Sequence, residues 1–285
     1  MLVKPYKKIL NLIISVLIKF VFFIRNNIRT IRKIEFENFN EKFIFYSKKY
    51  NFILFTKDKY ISRETYINGP HDFNFFLKSQ SILRKKINYL IDVGANIGTF
   101  SIPAVKEAGL KKCIAFEPIK KIFDILNINI FLNGLENKFE TYNYLISDDT
   151  NESLSVTFNK NNYGDNKFRV IKNKRKLKFK IQKLDHFFKK FNHNELLIKI
   201  DVQGFEAKVL NGCHKFLSKR VPMIIEFDRK FIQDKNHKLI INNIKKNYQF
   251  ISILDFKKNE KINISNIENI LCKIKTKKQI NCLIF

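Results

Sequence analysis

The stretch from Tyr89 to Ser101, YLIDVGANIGTFS, constrains the fold more than any other part of this 285-residue chain. The apolar run Tyr89–Ile91 predicts a buried strand that ends at Asp92. Residues Gly94–Gly98 predict a tight turn, and Thr99–Ala108 predicts the helix that follows. A strand, a glycine turn and a helix open a nucleotide-binding βαβ unit, because glycine lets the backbone turn sharply and approach a ligand.

The spacing of the glycines narrows the choice of ligand. A dinucleotide-binding turn needs glycine at its first, third and sixth positions, but Asn96 and Thr99 occupy the third and sixth. Asp92 lies two residues before the first glycine, Gly94, and Gly98 lies four residues after it. This spacing resembles motif I of class I S-adenosylmethionine (SAM) methyltransferases. The wording DVGANIG resembles the FkbM family of O-methyltransferases. This resemblance implies that Gly94, Asn96 and Gly98 bind SAM and that Asp92 helps hold its ammonium group, directly or through water. On this motif alone, the alternative is a plain glycine turn in another α/β protein.

A second apolar run, KCIAFEP, predicts the next strand, which ends at Glu117. Nucleotide-binding folds place an acid at this point, since a carboxylate accepts hydrogen bonds from both ribose hydroxyls. The letters FEP are also FkbM-like, so Glu117 is the predicted ribose ligand. A third strand is predicted over 139–146 and leads to Asp148. The resemblance assigns Asp148 to the adenine amino group, with turn or helix capping as the alternative.

The run Leu196–Asp201 predicts a fourth parallel strand beside the first, followed by a turn into a helix. The sequence of this segment, KIDVQGFE, resembles the family pattern KIDVEGxE, with Gln203 in place of the first glutamate. In a doubly wound sheet, ligands bind where the strand order reverses, and this strand ends there. Asp201 is therefore expected near the methyl group to be transferred. Asp201 and Glu206 are the candidate catalytic bases for a hydroxyl acceptor.

These motifs, together with Leu184-Asp185, imply an α/β, Rossmann-like class I methyltransferase sheet that is mostly parallel. The runs at 248–256 and 280–285 predict its antiparallel last strands. Alternation over 41–56 predicts a hairpin ahead of the sheet, and 71–84 predicts a helix. Asp185 is interpreted as the N-cap of the helix that it enters. The polar stretch 149–183 is interpreted as one or two inserted hairpins that contribute to the acceptor site, and a solvated edge protected by lysines is the alternative. The expected division is a basic apolar N-terminal helix at 1–34, a small α+β lead-in at 35–85 and the methyltransferase domain at 86–285.

The N-terminal run Ile9–Ile24 is almost wholly apolar and has basic residues on both sides. It is short for a spanning helix, which needs about 20 apolar residues, and it contains Lys19. A basic helix with a wide apolar face suits the interface of an anionic membrane. Residues 1–33 are therefore predicted to bind such a surface; packing on the domain or on a partner subunit is the alternative. No small-residue cleavage site follows, which argues against a signal peptide.

The net charge of +28 favours an anionic partner. The abundance of Lys, Asn, Ile and Phe and the absence of Trp offer a second explanation, a compositional bias that coats the surface with lysine. The four cysteines and five histidines are scattered, which predicts no metal site and no disulfide framework. These features predict a cytoplasmic protein, peripheral at the inner face of the membrane if residues 1–33 bind it.

The reaction that the resemblance implies is methyl transfer from SAM to a hydroxyl. The acceptor would be a small molecule or a glycan, and a sugar of a surface glycan or lipid-linked precursor is favoured. An RNA methyltransferase is the alternative enzyme; the charge supports it, whereas the lack of an RNA-binding appendage and of an NPPY-type motif makes nucleic acid unlikely as a partner. A non-catalytic SAM-binding scaffold at the membrane is the third reading. No oligomeric state is specified.

Overall fold

The computed structural model describes residues 3–70, 72–151, 154–157, 159, 161–162, 167–170, 179–228, 235–256, 260–267 and 279–285. Its α-helices are α1 (Val3–Glu37), α2 (Ile61–Asn68), α3 (Phe73–Leu83), α4 (Ser101–Glu107), α5 (Lys120–Leu132), α6 (Glu206–Asn211), α7 (His214–Ser218) and α8 (Lys235–Asn247). Its strands are β1 (Phe43–Ser47), β2 (Asn51–Phe55), β3 (Tyr89–Val93), β4 (Lys112–Phe116), β5 (Phe139–Tyr142), β6 (Tyr144–Ile146), β7 (Leu154–Thr157), β8 (Lys167–Val170), β9 (Lys180–Gln182), β10 (Leu196–Ile200), β11 (Met223–Asp228), β12 (Phe250–Ile253), β13 (Ile262–Asn263) and β14 (Gln279–Ile284).

Eight strands form the central sheet, in the order β13-β12-β14-β11-β10-β3-β4-β5. The five strands from β11 to β5 are parallel to their neighbours, and β14 pairs antiparallel with both β11 and β12. The predicted fold class, a mostly parallel sheet with antiparallel last strands, is confirmed. The chain runs outward from β3 to β5 and then returns to β10 on the other side of β3. The order therefore reverses between β3 and β10, where ligands bind in such sheets.

Helices cover both faces of this sheet, which explains the continuous apolar runs of its central strands. All five residues of β10, LLIKI, are buried. One apolar cluster joins one face to α6, α7 and α8 through residues such as Val209, Phe216 and Ile244. A second joins the other face to α4, α5 and the lead-in through residues such as Phe76 and Leu126.

Two predicted elements differ from the structure, and one helix was not predicted. The third strand divides at Asn143, whose side chain donates to the carbonyl oxygens of Glu117 and Pro118; β5 stays in the main sheet, whereas β6 pairs with β9. The helix expected at 71–84 is α3, which begins at Phe73, and His71 lies outside the described residues. Helix α2 was not predicted. Strands β7 and β8 form the hairpin expected within 149–183, and the basic run 171–178 lies outside the described residues.

Helix α1 is longer than the apolar run predicted, with 35 residues. Its last turns pack on α2: Phe36 is buried against Tyr66, and the Arg32 guanidinium donates to the carbonyl oxygen of Ile67 at 2.9 Å. Between Leu10 and Ile34 its large apolar side chains are exposed. By length and composition, the part from Leu10 to Glu37 is able to cross a membrane.

Candidate active site

The turn after β3 is packed against the end of β10. Gly94 has a φ of +84°, and a Cβ added there would lie 1.9 Å from the carbonyl oxygen of Asp201. The backbone N–H groups of Gly94 and Ala95 both donate to the carbonyl oxygen of Phe116, and that of Asp201 donates to Val93. The glycine is therefore required by the close approach of two backbone segments, in addition to any approach of a ligand.

Glu117 is fixed by the same turn. Its carboxylate accepts the backbone N–H of Asn96 at 3.1 Å on one oxygen and that of Ile119 at 2.9 Å on the other. Asn96 has a left-handed φ of +51°, and its side-chain oxygen accepts the N–H of Ile97. Burial raises the pKa of Glu117 to about 7, although the two backbone N–H groups oppose the shift. Gly98, with φ +90°, closes the turn against the side chain of Ile102.

Lys199 joins the two acids at the ends of β3 and β10. Its ammonium lies 3.4 Å from Asp92 Oδ1 and 3.3 Å from Asp201 Oδ2. Burial alone would lower the pKa of Lys199, but Asp92, Asp201 and Asp72 outweigh it and raise that pKa above its usual range. Burial raises the pKa of Asp92, and Lys199 opposes that shift. Asp92 is fully buried at the end of β3, and its ion pair with Lys199 helps to hold that ammonium in place.

Gln203 links Asp201 to a carboxylate that the sequence analysis missed. Its side-chain nitrogen donates to Asp201 Oδ1 at 2.8 Å and to Glu226 Oε2 at 2.9 Å. Burial raises the pKa of Glu226 to about 10, with further contributions from the negative charges of Asp201 and Glu206. Glu226 lies in β11, within the apolar run PMIIEF. A lone acid near the carboxyl end of a buried parallel strand was the signal that could have identified it.

A cavity of about 190 Å³ opens at the point where the strand order reverses. Gly94 and Asn96 line it on the β3 side, and Asp201, Gln203 and Glu226 line it on the β10 and β11 side. The lead-in closes it with side chains that include Tyr60, Asp72 and Phe75. The cavity thus brings the predicted cofactor turn together with one of the two predicted bases.

The second predicted base, Glu206, has its carboxylate on the loop backbone. It accepts the N–H of Val202 at 3.2 Å and that of Gly204 at 3.0 Å. Burial raises the pKa of Glu206 to about 7. The described lining of the cavity includes Asp201 but not Glu206. This geometry favours a role for Glu206 in shaping the loop that carries Asp201 and Gln203, rather than in proton transfer.

Two further acids face helices instead of the cavity. Asp148 accepts hydrogen bonds from Lys208 at 3.1 Å and from Asn211 at 3.2 Å, both in α6. Burial alone would raise the pKa of Asp148, but the hydrogen bonds from Asn211 and Lys208 outweigh it and leave that pKa below its usual value. An adenine contact for Asp148 stays a prediction. Asp185 caps α7 by accepting the N–H of Lys215 at 3.0 Å, so its assignment as the cap of the helix that it enters was wrong, because the partner comes from a distant segment.

The sheet order, the glycine turn and the acid after β4 define a class I SAM-dependent methyltransferase. Residues 92–257 match the family described as Methyltransferase FkbM domain, and the chain belongs to that family. The match covers more than half of the chain and includes all eight site residues predicted from the sequence.

Several solved structures are similar to this chain at low identity. They include TYW2 of M. jannaschii in complex with AdoMet, which is 13% identical with a TM-score of 0.44 over 86% of this chain and 85% of that chain. The precorrin-6y C5,15-methyltransferase of Geobacter metallireducens GS-15 is 7% identical, with a TM-score of 0.39 over 74% and 86%. The ribosomal protein L11 methylase of Lactobacillus delbrueckii subsp. bulgaricus is 13% identical, with a TM-score of 0.39 over 76% and 79%. No curated protein matches the chain significantly.

The residues present fit SAM, the cofactor of this family. Each oxygen of Glu117 accepts one backbone N–H and keeps a lone pair that a ribose hydroxyl can use. The described lining of the cavity carries the acids Asp72, Asp201 and Glu226 against the single ammonium of Lys199, and Asp72 and Asp201 outnumber that ammonium even when Glu226 is protonated. Such a site favours a ligand with positive charges, and SAM carries a sulfonium and an ammonium.

Glu117→Gln is expected to weaken SAM binding by at least about tenfold at pH 8, because hydrogen bonds to a charged acceptor are worth about 1.5–3 kcal/mol and because the amide nitrogen cannot accept the backbone N–H that one carboxylate oxygen accepts. Ribose hydroxyls donate better to the ionised carboxylate, and the pKa of Glu117 is about 7. SAM affinity of the wild type should therefore rise from pH 6 to pH 8 and level off above, whereas this part of the rise should be absent in the variant.

Calorimetric titration with SAM at several pH values measures both effects. Glu136→Gln is the matched control, because Glu136 is exposed in a turn outside the site. If Glu117→Gln binds SAM as the wild type does at every pH, Glu117 is not the ribose ligand.

Proposed function

We propose that this protein transfers the methyl group of SAM to a hydroxyl oxygen of a sugar, in a surface glycan or a lipid-linked precursor. The observation that carries the proposal is the position of Asp201. Its carboxylate lines the cavity beside Gly94 of the cofactor turn and is held by Gln203 on one oxygen and Lys199 on the other. A carboxylate held in this way is placed to accept a proton from a hydroxyl in the cavity.

The chemistry requires little beyond alignment and proton removal. When bound, SAM supplies a methyl group on a positively charged sulfur, which becomes a neutral thioether once the acceptor oxygen has taken the methyl. The chain must hold the acceptor oxygen in line and accept the proton that this oxygen releases. Asp201 accepts the proton, and Lys199 stabilises the negative charge of Asp201 before the transfer.

The polarity of the cavity supports a polyhydroxylated acceptor. Besides its acids, the lining includes the side-chain amides of Asn162, Gln203, Gln279 and Asn281 and the phenol of Tyr60. Amides and carboxylates offer donors and acceptors to several hydroxyls at once. A sugar can form additional hydrogen bonds with such groups, whereas a flat aromatic acceptor offers few groups to bond with them.

The alternative acceptor, RNA, is favoured by the net charge of +28. The described lining of the cavity does not share that charge, because its single ammonium, on Lys199, faces acids. A nucleic-acid site needs cations free to meet phosphates. The non-catalytic scaffold is disfavoured by an open cavity in which an acid stands beside the cofactor turn.

The test measures transfer of a labelled methyl group from SAM to glycan, lipid-linked sugar and RNA fractions prepared from the cells that produce this protein. The expected result is label in a sugar fraction that survives both ribonuclease and mild alkali, since alkali cleaves methyl esters but leaves methyl ethers. Label that ribonuclease releases would favour the RNA reading instead. Binding of SAM without transfer to any fraction would favour the scaffold.

Helix α1 supports a membrane location for this reaction. Its apolar side chains from Leu10 to Ile34 are exposed, and basic residues that include Lys19, Arg25 and Arg29 accompany them. Apolar surface together with positive charge suits the headgroup region of an anionic leaflet. We place the enzyme on the cytoplasmic side, with α1 lying on the inner face of the membrane, where a lipid-linked sugar would be presented to the cavity.

Deleting residues 1–28 is expected to move the protein from the membrane fraction to the soluble fraction. The deletion keeps Arg29, Arg32 and Phe36, which attach the end of α1 to α2. Fractionation with immunodetection measures the change, and unaltered SAM affinity of the truncated protein is the control for folding. The full chain should be released by high salt with carbonate; full retention under both treatments would indicate a spanning anchor.

A further inference from the structure

Gln203 places two carboxylates side by side on the wall of the cavity. One nitrogen donates to both Asp201 and Glu226, so these carboxylates are no further apart than two hydrogen bonds span. The orientation of the amide is fixed from its other end, because its oxygen accepts a hydrogen bond from the side chain of Gln279 at 3.2 Å. Gln203 itself sits in a left-handed turn, with φ +53°.

The charges around Asp201 and Glu226 determine which of the two carboxyl groups keeps a proton. Asp201 is the member next to the ammonium of Lys199, at 3.3 Å. The other charged groups that face the pair are acids, namely Asp92 on β3, Asp72 ahead of α3 and Glu206 on α6. So many carboxyl groups around one ammonium, each of them partly or fully buried, cannot all ionise. Burial and these neighbours raise the pKa of Glu226, so it is the member that keeps its proton at neutral pH.

We propose that Asp201 and Glu226 together bind two neighbouring hydroxyls of the acceptor: ionised Asp201 accepts the proton of the hydroxyl that is methylated, and the carboxylic acid of Glu226 donates a hydrogen bond to the oxygen of the next one. The pair rests on the proposed function and narrows its substrate class to sugars with hydroxyls on adjacent carbons. In the step itself, the acceptor O–H bond breaks, the proton goes to the Asp201 carboxylate and the oxygen keeps its electron pair for the methyl carbon. Glu226 retains its own proton, and Asp201 later loses the proton to water.

The amide at position 203 is essential to this arrangement. A carboxylate at this position could not donate to Asp201 and Glu226. Gln203→Glu would also add a third acid to the pair, which raises the pKa of its neighbours. The apparent pKa of the methyl-transfer rate should therefore move to higher pH by about one unit or more, whereas a merely structural defect would lower the rate at every pH alike.

The contrast between Glu226→Gln and Glu226→Ala tests the protonation state. A glutamine can donate the same hydrogen bond as a carboxylic acid, so Glu226→Gln should keep kcat/KM within about threefold of the wild type. Glu226→Ala should lower it about 10–100-fold, chiefly through KM, the loss expected for one hydrogen bond of about 1.4–2.7 kcal/mol to a buried partner. The acceptors are methyl hexopyranosides and their monodeoxy forms, and removing the neighbouring hydroxyl should cost the wild type as much as Glu226→Ala does. Equal losses in the Gln and Ala variants, or none in Ala, would overturn the role of Glu226.

A second measurement does not depend on turnover. Infrared spectra of the protein without SAM, at pH 8.5, should contain the band of a protonated carboxyl that Glu226→Gln removes and Asp201→Asn retains. If that band is unaffected by Glu226→Gln, the pair is wrong whatever the acceptor. If the band behaves as expected but the wild type methylates none of the sugars, the proposed function is what fails.

Discussion

Asp201→Asn is expected to lower turnover by about 10²–10⁴-fold, the range typical for loss of a general base, with little change in SAM affinity. The variant keeps the shape of the side chain and the bond to the nitrogen of Gln203, since the amide oxygen can still accept it. It removes the charge that pairs with Lys199 and the basicity that proton transfer needs. Rates of labelled methyl transfer and calorimetric titration with SAM measure the two quantities separately.

The matched control is Asp124→Asn. Asp124 also pairs with a lysine, Lys120, but on the exposed face of α5, where such a pair contributes little. This variant should keep wild-type rate and SAM affinity. A parallel loss of SAM binding in Asp201→Asn would assign Asp201 to the cofactor instead of the acceptor. Full turnover in Asp201→Asn would exclude it as the base.

The central strands were predictable because strands that are buried on both faces have continuous apolar sequences, which can be recognised without an alternating pattern. The apolar runs of β3, β4 and β10 are each bounded by an acid or a turn, and each forms the strand expected. Helix α2 was missed because only eight residues form it and they are mostly polar. A capping signal does precede it: the buried Asp58 accepts the N–H groups of Tyr60 and Ser62.

The site was predictable only where its residues follow directly from a strand end. Glu117 and Asp201 terminate β4 and β10, so the topology alone brings them to the edge where the order reverses. Gln279 and Asn281 reach the cavity because β14 pairs with β11, and that long-range pairing has no local signature. The observed partners of Glu206 and Asp148 likewise depend on how α6 meets its surrounding loops.

Gly94→Ala is expected to abolish SAM binding and to lower the free energy of unfolding by about 2–5 kcal/mol, from overpacking of about 1–3 kcal/mol and left-handed strain of about 1–2 kcal/mol. The new Cβ would lie 1.9 Å from a backbone oxygen of Asp201, which no side-chain rotation can relieve. The ends of β3 and β10 would have to separate. That movement displaces Asp201 from the cofactor turn and breaks the bond between its N–H and Val93.

Gly109→Ala separates the two parts of this effect. Gly109 also has a positive φ, +62°, but a Cβ there would meet nothing within 4 Å. Its substitution should cost only the left-handed strain of about 1–2 kcal/mol and leave SAM affinity and turnover unchanged. Chemical denaturation of both variants and titration with SAM provide the comparison. Equal losses in the two would show that backbone strain alone governs Gly94; a larger loss at Gly94, with SAM binding gone, would show that the contact between the cofactor turn and Asp201 holds the active site together.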